Sequence, residues 1–334
     1  YDLVGAISLL IVTFLTFLVV KVYPKLEFML ITALFLRILT IYIGNFVSLP
    51  DSTNDAIVFE NMAFDWFQNG IFVTYDYPIY SSFFISWLIA IFYSLFDRSL
   101  LMAQSISLFF GMGSIFLGWI LAKKIWGKEI AQRVGWTISL FPSIILYSVL
   151  VLREIYVAFF LLVAMYGIFN WVRDKSIKSI TITILGFAIA SCFHGPMIIG
   201  IFIFFIIVGL DSLKIFLKLL KSYQFTIKSF SIVIVASIVL TLFFSSKIIL
   251  PKLETFSQVT KISKISKTTE ARSVGDAAFP DWLNINSEFE IIYKMPIRVL
   301  YFLFSPFPWQ ITKITHLIGM LDSLLYLLLF YFIF

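Results

Sequence analysis

Ser48 to Tyr80 reads SLPDSTNDAIVFENMAFDWFQNGIFVTYDYPIY. Five carboxylates, Asp51, Asp55, Glu60, Asp65 and Asp76, fall inside it, and no lysine or arginine does. Apolar runs flank it: Leu3 to Val20 and Phe28 to Val47 before, Ser81 to Phe96 and Leu100 to Ala122 after. Several runs in the chain approach or pass the ~18 to 20 apolar residues that a bilayer-crossing helix needs, and strand-like alternation is absent. The stretch is therefore read as a water-facing acidic loop between helices that cross lipid. Asp51 and Asp55 are four apart, as are Asp55 and Phe59, so a short helix here would place them on one face, carboxylates beside the membrane and aromatic side in lipid.

Composition supports the same class. Hydrophobic residues make up 60%, aromatic residues 19% and charged residues 13%, with a mean hydropathy of +0.99, whereas soluble domains carry roughly 25% charged residues. The sequence predicts an all-α, polytopic integral membrane protein. Apolar runs are spread throughout and no hydrophilic stretch is large enough for a separate globular domain, so residues 1–334 read as one transmembrane domain with external loops 48–99 and 251–315. The chain opens on Tyr1 and closes inside the apolar run LLYLLLFYFIF, which suggests residues missing at both ends. A single cysteine, Cys192, excludes an intramolecular disulfide.

The net charge of +6 is localised. Lys21 and Lys25; Lys123, Lys124, Lys128 and Arg133; Arg173, Lys175 and Lys178; and Lys214, Lys218, Lys221 and Lys228 form four clusters between apolar runs. By the positive-inside rule these are cytoplasmic loops. They are short, lack stacking aromatics at regular intervals and sit at helix ends, which argues against nucleic acid as a partner.

That rule fixes the topology. With Lys21 and Lys25 inside, the acidic loop lies outside. Were both Ser81 to Phe96 and Leu100 to Ala122 to cross, the Lys123 to Arg133 cluster would fall outside; the shorter run, Ser81 to Phe96, is therefore assigned to the outer interface without crossing. Val134 to Val151, Glu154 to Val172, Ile180 to Phe193, Met197 to Leu210 and Phe230 to Leu250 then alternate as crossings. Arg153-Glu154 and His194-Gly195-Pro196 surface on the face of the acidic loop, as does the polar stretch Pro251 to Met295. Pro296 to Trp309, interrupted by Pro306 and Pro308, reads as an interfacial or re-entrant piece, and His316 to Phe334 as a further crossing.

Ionisable groups brought to one membrane face from non-adjacent segments are costly to hold there and usually serve a site. Asp55 and Glu154 are the carboxylates singled out for catalysis, because a carboxylate at the membrane face can take a proton from an acceptor hydroxyl or amine. Arg98, Arg272 and Arg298 are candidates to hold a phosphate bidentately, with His194 and Arg153 beside them. Asp51 and Glu60 complete the substrate-binding set; with Asp55 they offer a divalent cation at most a weak site, and two histidines, His194 and His316, are too few for a metal centre. A Gly-rich phosphate cradle, a GxSxG elbow and a cysteine-based site are all absent from the sequence.

The order of these features resembles the GT-C glycosyltransferases that use polyprenyl-phosphate sugars, especially the lipid A aminoarabinose transferases and the protein O-mannosyltransferases. The residues that carry the resemblance are Asp55-Ala-Ile-Val-Phe59 with Ala63; Tyr77-Pro78-Ile79-Tyr80 through Leu95-Phe96-Asp97; Lys123-Lys124-Ile125-Trp126-Gly127; Leu140-Phe141-Pro142; Leu152-Arg153-Glu154-Ile155; His194-Gly195; and Pro308-Trp309. The chain departs from the pattern where Glu154 replaces the usual second Asp, His194 replaces a Lys, Gln104 stands where an Arg is common, and Tyr77 replaces a Lys. The resemblance implies a GT-C-like helical bundle with juxtamembrane helices in the first external loop, in a plasma (bacterial inner) membrane with an extracytoplasmic site. It also implies transfer of a sugar from a polyprenyl-phosphate donor to a glycan, lipid or protein acceptor, with Asp55 as general base. Two other readings stand beside it: a polysaccharide polymerase or ligase acting on lipid-linked glycans, and a non-enzymatic glycolipid flippase or assembly partner. The flippase calls for charges along a cavity between the two faces, and the only charge deep in an apolar run is Arg37.

Overall fold

The computed structural model describes residues 2–53, 55–70, 83–221, 279–285 and 287–333. Every regular element among them is helical. Helices α1 (Leu3–Val22), α2 (Glu27–Gly44), α3 (Asp55–Asn69), α4 (Phe84–Phe96), α5 (Leu100–Trp126), α6 (Lys128–Leu140), α7 (Pro142–Tyr147), α8 (Glu154–Asp174), α9 (Ile177–Phe193) and α10 (Ile198–Lys221) are followed by α11 (Glu288–Phe304) and α12 (Ile314–Ile333). Four stretches, Leu3–Val22, Pro24–Gly44, Leu100–Trp126 and Glu154–Asp174, are long and apolar enough to cross a membrane. Backbone contacts divide the chain into two units, Tyr1–Ile207 and Val208–Phe334.

In the first unit, packing gives the bundle two chemically distinct ends. Asp2 caps α1 by accepting from the Gly5 amide at 2.8 Å, and Ser99 caps α5 by accepting from the Met102 amide at 2.9 Å. The Ser99 hydroxyl also donates to Asp2 at 2.6 Å, so one carboxylate ties the starts of two parallel helices together. At the far ends of the same helices Tyr23 packs its ring on Phe116 and Trp119. Helix α6 starts at that end, where Gln132 donates to the Lys25 carbonyl at 3.1 Å. All the lysines and arginines from Lys21 to Lys178, except Arg37, Arg98 and Arg153, sit on or beside the helix termini of this basic end. Asp2, Glu60, Arg98, Arg153, Glu154 and His194 belong to the other end, which we call the acidic end.

Helices α8 and α9 form the closest pair. A Cβ added to Gly186 would lie 2.6 Å from the Ala164 backbone nitrogen, and one added to Gly167 would lie 2.5 Å from the Thr183 hydroxyl. Only glycine lets the two backbones approach this far, the small-residue packing typical of helices whose outer faces are apolar.

Two expectations need correction. Val134 to Val151 is not one continuous helix: α6 ends at Leu140, Phe141 is extended (φ −67°, ψ 119°), and Pro142 starts the short α7. Proline lacks the amide that would continue the ladder and its ring disfavours helical geometry in the residue before it. One terminal carbonyl of α6, that of Ser139, is met instead by Arg37, fully buried on α2. Its Nη1 donates to the Ser139 carbonyl at 3.0 Å and to the Ala33 carbonyl at 3.1 Å, and its Nε donates to the Ser148 hydroxyl at 2.8 Å. A cation at the C-terminus of a helix also meets the negative end of its dipole. The second correction concerns the acidic stretch. Helix α3 begins at Asp55, and Asp51 lies before it in a turn with φ 58°, so the two do not share a helical face. Nor does the aromatic side point outward. Phe59 is buried against Phe83, and Phe67 packs edge-on to Tyr93 of α4.

Helix α4 begins and ends at the acidic end. Phe84, at its start, packs on Phe193 at the end of α9, and Ser86 donates to the Phe59 carbonyl at 2.7 Å. Tyr93, near its finish, bonds Glu60, and Ser99 just beyond bonds Asp2. Thirteen residues at about 1.5 Å each span only about 20 Å. Helices α3 and α4 thus lie as a pair over one end of the bundle. Residues 71–82 and the expected crossing Phe230 to Leu250 lie outside the described residues. In the second unit, Pro296 lies inside α11, and the helix ends before Pro306.

Candidate functional site

The acidic end gathers charged side chains from α3, the α4–α5 turn, the start of α8 and the end of α9. Glu60 is the most enclosed, with 9% of its side chain exposed. Arg98 grips it with two bonds, Nε to Oε1 at 2.9 Å and Nη2 to Oε2 at 2.7 Å, and the Tyr93 hydroxyl donates to Oε1 at 2.9 Å. The guanidinium lies 3.9 Å from the Phe64 ring centre. Hydrogen bonding to Glu60 pushes the Arg98 pKa further up, so this cation is permanently charged. Geometry of this kind, fork to fork and backed by a hydroxyl, is directional as well as strong. Glu60 and Arg98 consequently satisfy each other first. What remains of Arg98, with 43% of its side chain exposed, faces outward.

Beside this pair lies a cavity of about 570 Å³ lined by Asp2, Glu60, Arg98 and Ser99 together with Leu3, Val4 and Leu100. Its polar wall and aliphatic wall suit an amphiphile with an ionic head. Asp2, Ser99 and Tyr93 were not singled out from the sequence. Asp2 and Ser99 each precede an apolar run, the ordinary mark of a helix cap, and that signal was there to be read. Tyr93 carried no such mark within its apolar run.

A second group sits at the start of α8. Arg153 lies 3.6 Å from Glu154, and its guanidinium is 5.8 Å from the centre of the Phe59 ring. His194, which caps the end of α9, stands close enough to both to feel their charges. Partial burial, and then the positive charge of Arg153, lower its pKa below the usual 6.5, against a smaller opposing pull from Glu154. A neutral imidazole results, able to donate one N–H and accept at the other nitrogen.

Asp55 is exposed at the first position of α3, and Asp51 is exposed in the turn before it, where the Tyr147 hydroxyl approaches at 3.4 Å. Glu154 is exposed as well. Of the candidate acids, Asp51, Asp55 and Glu154 keep open faces to solvent while Glu60 is spoken for. Among the described residues no three His, Cys, Asp or Glu side chains converge as a metal site requires. Arg272 lies outside the described residues. Arg298 belongs to the second unit: it is buried on α11 with its guanidinium 4.6 Å from the Phe279 ring centre, and among the described residues its Nε and Nη2 have no hydrogen-bond partner. A buried guanidinium left with two open donors is suited to an anionic oxygen.

No protein family, curated protein or solved structure gives a match to the chain.

Proposed function

We propose that the chain is a multi-pass membrane protein of the GT-C-like kind and transfers a sugar from a polyprenyl-phosphate donor to an acceptor at the extracytoplasmic face. The observation that carries this reading is the gathering of Glu60-Arg98, Arg153-Glu154, His194 and the exposed Asp55 at one end of the first unit, with the three basic clusters between Lys21 and Lys178 at the other. The positive-inside rule turns the basic end toward the cytoplasm.

In the proposed reaction an acceptor hydroxyl or amine attacks the anomeric carbon, the carbon–phosphate-oxygen bond breaks, and polyprenyl phosphate leaves with the bonding electrons. Asp55 takes the acceptor's proton. Phosphate is already a good leaving group, so acceptor activation is the step that most benefits from a side chain, and a positioned base typically contributes ~10² to 10⁴-fold. Glu154 orients acceptor or donor. The outward edge of Arg98, with Arg153 and His194, contacts the donor phosphate. Glu60 serves by holding Arg98.

The test is release of polyprenyl phosphate from a panel of polyprenyl-phosphate-linked sugars by membranes containing the chain. Asp55→Asn keeps shape and removes basicity, and should lower release by ~10² to 10⁴-fold in inserted, donor-binding protein. Near-normal release by Asp55→Asn, with loss in Asp51→Asn, would move the base to Asp51. Full activity in both would end the general-base mechanism.

A further inference from the structure

The basic end carries a cavity of its own, about 550 Å³, between the α1–α2 turn, the end of α5 and the start of α6. Tyr23 and Trp119 stand edge to face at 5.8 Å on one side of it. Lys25, Lys123 and Lys128 line it from three separate segments. Lys123 places its ammonium 4.6 Å from the Trp119 ring centre, and the Gln132 amide fastens the wall by its bond to the Lys25 carbonyl.

Charge balance around this cavity is one-sided. Its only carboxylate, Glu129, is taken by Arg133 at 2.7 Å. Among the described residues none of the three lysines has a carboxylate within ion-pair distance. The backbone adds to the positive potential. Gly127 caps α6 without a side chain, so the first amides of a thirteen-residue helix receive no side-chain acceptor, and a Cβ placed on Gly127 would meet nothing within 4 Å. Among the described residues the buried indole N–H of Trp119, 4% exposed, has no acceptor. Three cations, an uncapped helix start and an aromatic wall at the mouth of apolar helices define a site for an oxyanion that arrives on an apolar tail.

We propose that this cavity binds the phosphate headgroup of an anionic phospholipid of the leaflet on the basic side. The site lies at the opposite end from the proposed glycosyl-transfer site and shares with that reading only the orientation in the membrane. Basic pockets between membrane helices on the cytoplasmic side are suited to such headgroups, and each lysine near the surface strengthens the attraction.

The test uses the whole chain, purified in a neutral detergent, with phosphatidylglycerol, phosphatidylcholine and glycerol phosphate as probes. Binding is read by native mass spectrometry and by the shift of the unfolding temperature. Phosphatidylglycerol should be retained and raise the unfolding temperature, phosphatidylcholine should do neither, and glycerol phosphate should act only at far higher concentration. Lys25→Gln with Lys128→Gln, both exposed residues whose neutralisation leaves the packing intact, should weaken phosphatidylglycerol at least about tenfold. Adding Lys123→Gln should weaken it further. Lys175→Gln with Lys178→Gln, on the same end but outside the cavity, should leave it unchanged. Equal binding of the two lipids, or equal loss in the two variant pairs, would overturn the proposal in favour of a diffuse basic face. Glycerol phosphate as effective as the lipid would overturn it in favour of a soluble ligand.

Discussion

The two ends of the first unit treat positive charge in opposite ways. At the acidic end Arg98 is held by directional bonds, forked onto Glu60, and Arg153 lies beside Glu154 at 3.6 Å, with Phe64 and Phe59 beside the two guanidiniums. At the basic end Arg133 pairs with Glu129 and Lys124 bonds the Tyr166 hydroxyl and Asn170, but several of the cations rest on aromatic faces. Lys123 lies over Trp119, Lys124 over Tyr166, Arg173 over Phe169 and Lys175 over Trp171, with ammonium or guanidinium 3.8 to 5.7 Å from the ring centre. An aromatic face attracts a cation without fixing its direction, so the charge can swing toward a membrane surface; a forked carboxylate fixes it. The difference separates an end built to hold a geometry from an end built to hold an orientation.

Arg37 is the extreme of the first kind, and altering it should have the largest effect. Arg37→Ala removes a fully buried side chain, empties its space and strips the Ser139 carbonyl of its partner, and should cost about 3 kcal/mol or more in unfolding measured in detergent. Arg37→Met refills most of the space without the charge and should cost less. A Met variant as stable as the parent would show that the guanidinium is retained for something other than stability.

Next comes the forked pair. Arg98→Leu leaves Glu60 enclosed with only the Tyr93 hydroxyl, and should destabilise by about 2 to 3 kcal/mol, below the figure for a pair buried on both sides because the guanidinium is half exposed. Lys124→Gln, at the other end, loses a stacked and exposed ammonium and should cost under about 1 kcal/mol by the same measurement. Equal losses would erase the distinction between the ends.

The smallest effect is a pH dependence. Burial and Arg153 keep the folded-state pKa of His194 below the unfolded value of 6.5. Above about 6.5 the imidazole is neutral in both states and its contribution is complete; as pH falls below that value the unfolded chain takes up a proton that the folded chain resists, and stability declines. His194→Gln should flatten the stability profile on the acid side of 6.5. An unchanged slope would place His194 outside the influence of Arg153.

Much of this was written in the sequence in one dimension. The basic clusters between Lys21 and Lys178 marked the basic end of the first unit, because that feature depends on local composition. Pro142 announced the break between α6 and α7, yet hydropathy ran across it unbroken and the segment was read as a single crossing. The pairing of Glu60 with Arg98 was hidden, since 38 residues separate them and each alone looked like a site residue. Arg37 stood out as a deep charge, but nothing local pointed to a carbonyl freed on another helix. Asp55 was legible as a motif position, and its exposure at the start of α3 came only with the fold.

The bond from Arg37 to Ser139 joins residues 102 apart, and that to Ser148 joins residues 111 apart. On the membrane reading this sets a schedule for biogenesis. At about 5 to 20 residues per second, translation needs roughly 5 to 20 s to bring Ser139 out after Arg37. During that interval α2 carries a guanidinium whose partners from α6 and Ser148 do not yet exist, at a cost of ~2.5 to 3.5 kcal/mol for a charge held mid-helix in the bilayer. The nascent α2 is therefore a reluctant span, held shallow or beside the insertion machinery until the interrupted helix arrives. On that reading, a helix made early finds its last partners only in residues made more than a hundred positions afterwards.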